Sequence, residues 1–252
     1  MNKKLIAQSF GKASNTYEKD APVQKWTAGF LAELIQGLHL EQPADCLEIG
    51  CGTGFLTQEM MTLFPQANWL ITDLSADMLD SCRARIGDGV SYQVMDGEHP
   101  ALEKKFDLIV SSLAFQWFLD LENALKRLSG LLKPDGRLIF TTLGQETFQQ
   151  WRDNLNQQGM AVGLHDYPLL EDMQKIAIKG YQVSFARQKR LQPYENGLAF
   201  LRALKAIGAQ APQSGYQPLL PGQMRKVIKA LEENGSCAMT YDILVGTITK
   251  EA

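Results

Sequence analysis

The stretch LEIGCGTGFLT, residues 47–57, constrains this chain more than any other. Gly50, Gly52 and Gly54 fall at alternate positions, with an apolar run before them and a helix-like run after. The pattern reads as a buried strand that ends in a glycine turn and feeds a helix. So much backbone freedom at a strand end lets something approach the main chain very closely. A turn of this kind also presents backbone amides at a helix N-terminus, where a ligand can bind.

The surrounding pattern alternates between strand and helix. Residues 3–11 and 20–38 read as helices, the second with Trp26, Phe30, Leu31, Leu34 and Leu38 at helical spacing. Strand 45–49 is followed by helix 54–64, strand 68–75 by helix 75–86. Strands follow at 90–96 and 106–115, then a helix at 122–132 closed by the turn KPDG, then a strand at 136–143. This rhythm predicts a parallel sheet with helices on both faces. After residue 145 the rhythm breaks. Helical segments are expected at 146–160, 169–178, 195–207 and 222–234, with strands at 180–194 and 238–250. The expected architecture is an α/β Rossmann-like fold, a mostly parallel seven-stranded sheet in one domain spanning 1–252. Within it, 1–38 is an N-terminal helical segment, 44–143 the ligand-binding core, and 144–252 the insertions and last two strands.

Composition removes other classes. The chain has 252 residues, 45% hydrophobic and 21% charged, enough to bury a core of ordinary size. A net charge of -3 argues against broad attraction to nucleic acid or anionic membrane, though local basic patches remain open. Cys46, Cys51, Cys82 and Cys237 form no C-x-x-C pair and no metal-spaced cluster, so no metal is expected. Reduced thiols, no signal-peptide core and no long apolar run suit a soluble cytoplasmic protein.

Two ligands compete for the glycine turn. A dinucleotide fingerprint wants G-x-G-x-x-G, but Phe55 stands where the third glycine belongs. The chain instead has Glu48 two residues before Gly50, Asp73 at the end of the second strand and Asp96 at the end of the third. A carboxylate such as Asp73 can accept both hydroxyls of a ribose, and Asp96 an adenine amino group. Together these residues resemble the class I S-adenosylmethionine-dependent methyltransferases over residues 45–143. The resemblance implies that S-adenosylmethionine lies over Gly50, Cys51, Gly52 and Gly54, with Glu48 organising its methionine end. It places Asp73 and Leu74 at the ribose, and Met78, Met95, Asp96, Gly97 and Ser112 around the rest of the cofactor.

A wider comparison sharpens this. The blocks IAQSFGKASNTYEKDAPVQ (6–24), FDLIVSSLAFQWFLDLENALKRL (106–128), FTTLGQETFQQW (140–151), LRALKAIGA (201–209) and MTYDILVGTI (239–248) are similar to the malonyl-acyl-carrier-protein O-methyltransferases of biotin synthesis. The resemblance implies methylation of the free carboxylate of a malonyl thioester. A carboxylate is already the nucleophile, which suits the absence of a good base at the end of strand 106–115. The resemblance also implies that the helical segment 1–38 folds over the cofactor as a lid, with Tyr17 facing cofactor or acceptor. Trp117 is expected to wall the acceptor pocket and Gln116 to bond to the acceptor. Arg202 is the expected grip on the malonyl carboxylate, with Lys205 on the same helix face. The carrier protein is an acidic partner in this scheme, with docking expected at Arg187, Lys189 and Arg190 and at Arg225 and Lys229. His165, in GLHDYP, is left open as a residue that folds back over the site. The rival readings are a small-acid or quinone-precursor methyltransferase of the same fold, and a non-catalytic domain that holds S-adenosylmethionine.

Overall fold

The computed structural model describes residues 3–207, 216–232 and 237–251, without the side chains of residues 12–20. Two helices lead, α1 (Lys3–Asp20) and α2 (Pro22–Gly37). The alternating core follows as β1 (Asp45–Ile49), α3 (Phe55–Leu63), β2 (Asn68–Asp73), α4 (Ala76–Ile86), β3 (Ser91–Val94), β4 (Phe106–Ser112), α5 (Leu121–Ser129) and β5 (Leu132–Leu143). The remainder supplies α6 (Gln149–Gln157), α7 (Leu170–Met173), β6 (Tyr181–Tyr194), α8 (Gly197–Ala206), α9 (Pro221–Glu232) and β7 (Cys237–Lys250).

The seven strands form one sheet in the order β3-β2-β1-β4-β5-β7-β6. The first five run parallel, and β7 lies antiparallel between β5 and β6. The strand order reverses beside β1, with β2 on one side and β4 on the other. A crevice opens beyond the carboxyl ends of strands at such a reversal, which sets the site beside the glycine turn.

Apolar side chains cover both faces of the sheet. Leu31, Ile35, Met60 and Cys82 pack on one face, Leu125, Leu128, Phe106 and Phe140 on the other. A third cluster joins Phe148, Trp151, Phe200 and Val227 beneath α6, α8 and α9. Each fully buried Leu or Phe contributes roughly 1.5–3 kcal/mol relative to exposure, so the insertions have a core of their own.

Several expected boundaries move: strand 106–115 ends at Ser112, with a 3-10 turn over Phe115–Trp117, and the helix expected at 169–178 is confined to Leu170–Met173. The first helix does not stop at residue 11 but runs unbroken to Asp20. Gly11 inside it lets α1 approach the Asp77 side chain at the start of α4, where a Cβ would collide. The KPDG segment does not separate a helix from a strand. The helix ends at Ser129 and β5 already begins at Leu132. KPDG becomes a bulge in which the register jumps from Phe106↔Leu132 to Leu108↔Arg137. Asp135 has a φ of 59°, and Gly136 sits against the carbonyls of Lys133 and Phe106. Alternation alone does not distinguish a bulge of this size from a turn.

Candidate active site

The glycine turn is built by backbone geometry. Gly50, Gly52 and Gly54 have φ values of 70°, 54° and 90°, the region that side chains resist. A Cβ on Gly50 would collide with Ala114, whereas the space beside Gly52 is open for 4 Å. The Gly50 and Cys51 amides donate to the Thr72 carbonyl at 2.8 and 3.0 Å, which fixes the turn on β2. Asp73 completes it, with Oδ2 accepting from the Gly52 amide at 2.9 Å and Oδ1 from the Ser75 amide at 2.8 Å. Burial raises the Asp73 carboxyl above its ordinary value, and the amides of Ser75, Gly52 and Leu74 pull it back.

A first cavity lies over this turn. Its lining includes Glu48, Gly50, Cys51, Gly52, Asp73, Leu74, Met78, Met95, Asp96, Gly97 and Ser112, while α1 closes it with Lys3, Ile6 and Phe10. Gly54 stands behind it as the left-handed cap of α3, close to Cys82 Sγ. Glu48 is 1% exposed, and neither of its oxygens meets a hydrogen-bond partner in good geometry. Burial pushes its carboxyl up to about 8, with the Thr57 hydroxyl offsetting part of that cost. A buried carboxyl with unspent oxygens needs a donor or a cation from outside the protein. The ammonium of a methionine moiety is such a group, so these residues fit a sulfonium cofactor.

Asp96 carries a partner that sequence reading missed. Lys3 Nζ lies 2.8 and 2.6 Å from its two oxygens, and the Glu98 amide donates to Oδ1 at 3.0 Å. Lys3 thus bridges the Asp96 and Glu98 carboxylates, and His99 Nδ1 lies 3.2 Å from Asp96 Oδ2. No local signal marks Lys3, because its partners lie more than 90 residues away.

A second cavity of about 320 Å³ opens on the other side of Trp117. Phe10, Gln24, Leu113 and Trp117 line both cavities. Leu113, at a φ of 50°, turns the chain sharply out of β4, and its amide donates to the Thr141 carbonyl at 3.1 Å. Strain of this kind in a non-glycine residue persists where the surroundings enforce it. Here it presents Gln116 and Trp117 to the second cavity. Trp117 meets Phe10 edge-on at 5.3 Å and His165 at 5.7 Å. His165 therefore does fold back into this cavity, with Arg152 holding its carbonyl at 2.9 Å. Gln116 Nε2 donates to the Leu113 carbonyl, and Oε1 is buried without a partner.

Tyr167, Tyr216, Tyr241 and Lys205 complete the polar lining. Tyr241 shares a 2.7 Å hydrogen bond with Tyr194, and burial holds its hydroxyl neutral well above the ordinary range. These tyrosines come from the part of the chain after the alternating core, and sequence reading named none of them as site residues. Arg202 is exposed and lines neither cavity, one turn away from Lys205, which does line the second. Tyr17 belongs to α1, but its side chain lies outside the described residues. The β6 cations are not free either: Arg187 and Lys189 pair with Glu146, and Arg190 lies over the Trp26 ring.

A family model described as a methyltransferase domain matches residues 47–140. Two curated malonyl-acyl-carrier-protein O-methyltransferases match nearly end to end. That of Magnetococcus marinus is 39% identical over 97% of this chain and 92% of its own length. That of Priestia megaterium is 31% identical over 99% of this chain and 98% of its own. The chain belongs to the malonyl-acyl-carrier-protein O-methyltransferase family. It is also 40% identical to a biotin biosynthesis bifunctional protein of Bordetella avium, of which it spans about half, 51%. Solved structures agree on the fold. The YcgJ protein from Bacillus subtilis aligns over 88% of this chain and 98% of its own, with a TM-score of 0.62 at 15% identity. A plantazolicin methyltransferase, solved with a triazolic analogue and SAH, aligns over 99% and 96% with a TM-score of 0.58 at 14% identity. S-adenosylmethionine is the methyl donor of this family.

Proposed function

We propose that this chain methylates the free carboxylate of a malonyl thioester carried on acyl-carrier protein, giving a methyl ester for the pimeloyl part of biotin. The observation that carries this reading is the wall shared by the two cavities, Phe10, Gln24, Leu113 and Trp117. A donor over the glycine turn and an acceptor in the second cavity would meet at that wall. When bound, S-adenosylmethionine would supply an electrophilic methyl group to a lone pair of the acceptor oxygen, and the pair of the broken C–S bond would stay on sulfur. The protein has to align the two and exclude water, and orientation alone supplies up to ~7–11 kcal/mol of the barrier.

The second cavity suits a carboxylate. Lys205 is its cation, and the Tyr241 hydroxyl, one amide hydrogen of Gln116 and the His165 ring add neutral or adjustable contacts. One cation orients the carboxylate without blunting it, whereas a two-point guanidinium grip would compete with the methyl donor for the same oxygens. We assign the grip to Lys205 rather than Arg202. Tyr17 stays in the proposal as a lid residue over the reacting atoms, by position in α1. The N-terminal helices act as the lid, residues 44–143 as the cofactor core, and the remainder as the acceptor side of one domain. Among the described residues no helix is long and apolar enough to cross a membrane, and four unpaired thiols suit a reducing cytoplasm.

The test is mass spectrometry of malonyl-acyl-carrier protein after incubation with the purified protein and S-adenosylmethionine, beside an acetyl-carrier control. A gain of one methyl on the malonyl carrier alone is expected. Equal labelling of the acetyl carrier, or none of the malonyl carrier, would sink the reading.

A further inference from the structure

The chain is net acidic, so a positive surface has to be local. Two groups of cations compete for that role, and the structure treats them differently. On β6, Arg187 lies 3.0 Å from Glu146 and 3.1 Å from Asp242, and Lys189 lies 2.6 Å from Glu146. Two cations meet two carboxylates, and Arg190 is spent on the Trp26 ring at 4.7 Å. That patch is neutralised from within.

The cations of α8 and α9 are not. Arg202, Lys205, Arg225, Lys226 and Lys229 are all exposed, and among the described residues none of them pairs with a carboxylate. The two helices pack together in opposite directions. Gly197, at the start of α8, lies against Ile228, and its amide donates to Glu232 at 2.9 Å. At the other end Leu204 and Lys205 of α8 line the second cavity together with Met224 of α9. Arg225 follows Met224 directly, and Lys229 lies one turn further on. Lys205 therefore stands in the wall of the acceptor cavity, Arg202 and Arg225 next to residues that line it, and Lys229 further along α9 on the same helix pair.

We propose that the α8–α9 ridge docks the protein that carries the acceptor, through an acidic surface on that protein, and that the β6 patch takes no part. The inference rests on the reading of the second cavity as the acceptor site. A thioester on a flexible arm would enter past Lys205 while Arg202, Arg225 and Lys229 meet the carrier's carboxylates. Exposed unpaired cations are already solvated and ready for such an encounter, whereas Arg187 and Lys189 would first have to give up their own partners. Contacts of this type act chiefly on encounter rate and are screened by salt.

The experiment compares two acceptors, malonyl-acyl-carrier protein and malonyl-N-acetylcysteamine, whose short arm is uncharged. The variants are Arg202→Glu/Arg225→Glu/Lys229→Glu, the same three positions changed to Gln, and Lys189→Gln. The expected result is a rise of tenfold or more in KM for the carrier-bound acceptor in the Glu variant and a smaller rise in the Gln variant. Turnover of the short thioester stays within twofold in both, and Lys189→Gln matches wild type on both acceptors. An unchanged carrier KM in the Glu and Gln variants overturns the docking surface, as does an equal loss on both acceptors or a larger loss from Lys189→Gln. Wild-type protein that methylates neither acceptor overturns the acceptor reading beneath it.

Discussion

Lys3 Nζ lies 2.6 Å from Asp96 Oδ2 and 2.5 Å from Glu98 Oε2, so one ammonium ties the first turn of α1 to the loop after β3. Burial of the two carboxyls works to raise them, yet Lys3 and nearby amides hold both below their ordinary values. The pair thus stays ionised at neutral pH and keeps α1 over the first cavity. Lys3→Met should speed release of bound S-adenosylmethionine about tenfold, the equivalent of ~1.4 kcal/mol. Stopped-flow tryptophan fluorescence reads this directly, because Trp117 stands in the cavity wall. An unchanged release rate would mean that the ion pair does not hold the helix.

Glu48 makes cofactor binding pH-dependent. Burial raises its carboxyl from 4.5 to about 8, so the ligand-free protein keeps the proton at pH 7. A cationic cofactor favours the ionised form, so binding should release a proton and tighten between pH 6 and 9. Calorimetry in two buffers of different ionisation enthalpy measures that proton, and Glu48→Gln should abolish it. The same shift governs stability. Between the unfolded value near 4.5 and the folded value of about 8 the folded state binds more protons, so this group lowers stability as pH rises through that window. Thermal melts of the ligand-free Gln variant should lack this part of the decline.

The glycines of the turn should separate fold from function. Gly50→Ala forces a Cβ into Ala114 at a positive φ and should cost ~2–4 kcal/mol of stability. Gly52→Ala meets open space and carries only the strain of its φ, about 1 kcal/mol. Its methyl group would instead stand where the cofactor approaches. Denaturant midpoints and cofactor titration together should show Gly50→Ala losing both properties and Gly52→Ala losing mainly affinity.

Lys205→Met should raise KM for malonyl acceptors by tenfold or more while S-adenosylmethionine affinity stays unchanged. The loss corresponds to one charge-assisted hydrogen bond, ~1.5–3 kcal/mol. Equal KM values in variant and wild type would remove Lys205 from the acceptor site.

His165 decides between acceptor chemistries. A carboxylate acceptor has no proton to lose, so His165→Gln should keep kcat within about tenfold. A fall of about 10²–10⁴ would mark general-base catalysis and point to a different acceptor. Single-turnover kinetics across pH 6 to 9 would separate the two.

Much of the fold was legible because it is written in short-range pattern. Alternating apolar runs and helical spacing located all seven strands, and the three glycines with Glu48 and Asp73 marked the strand reversal. Separate blocks of resemblance, reaching from α1 to β7, pointed to the family. These signals survive without tertiary structure because each is carried by residues within one short stretch of chain or at successive strand ends. Other features depended on chain segments that fold together from far apart. The KPDG bulge needed β4 beside it, and Lys3 needed Asp96. The choice between Lys205 and Arg202 turned on a cavity assembled from α1, α2, the turn after β4, α6, the loop before α7, α8, α9 and β7. The β6 cations looked free until Glu146 and Asp242 were brought to them. Local periodicity encodes which face of an element is buried, but pairing energies between remote side chains exist only once the sheet has brought them within hydrogen-bond distance.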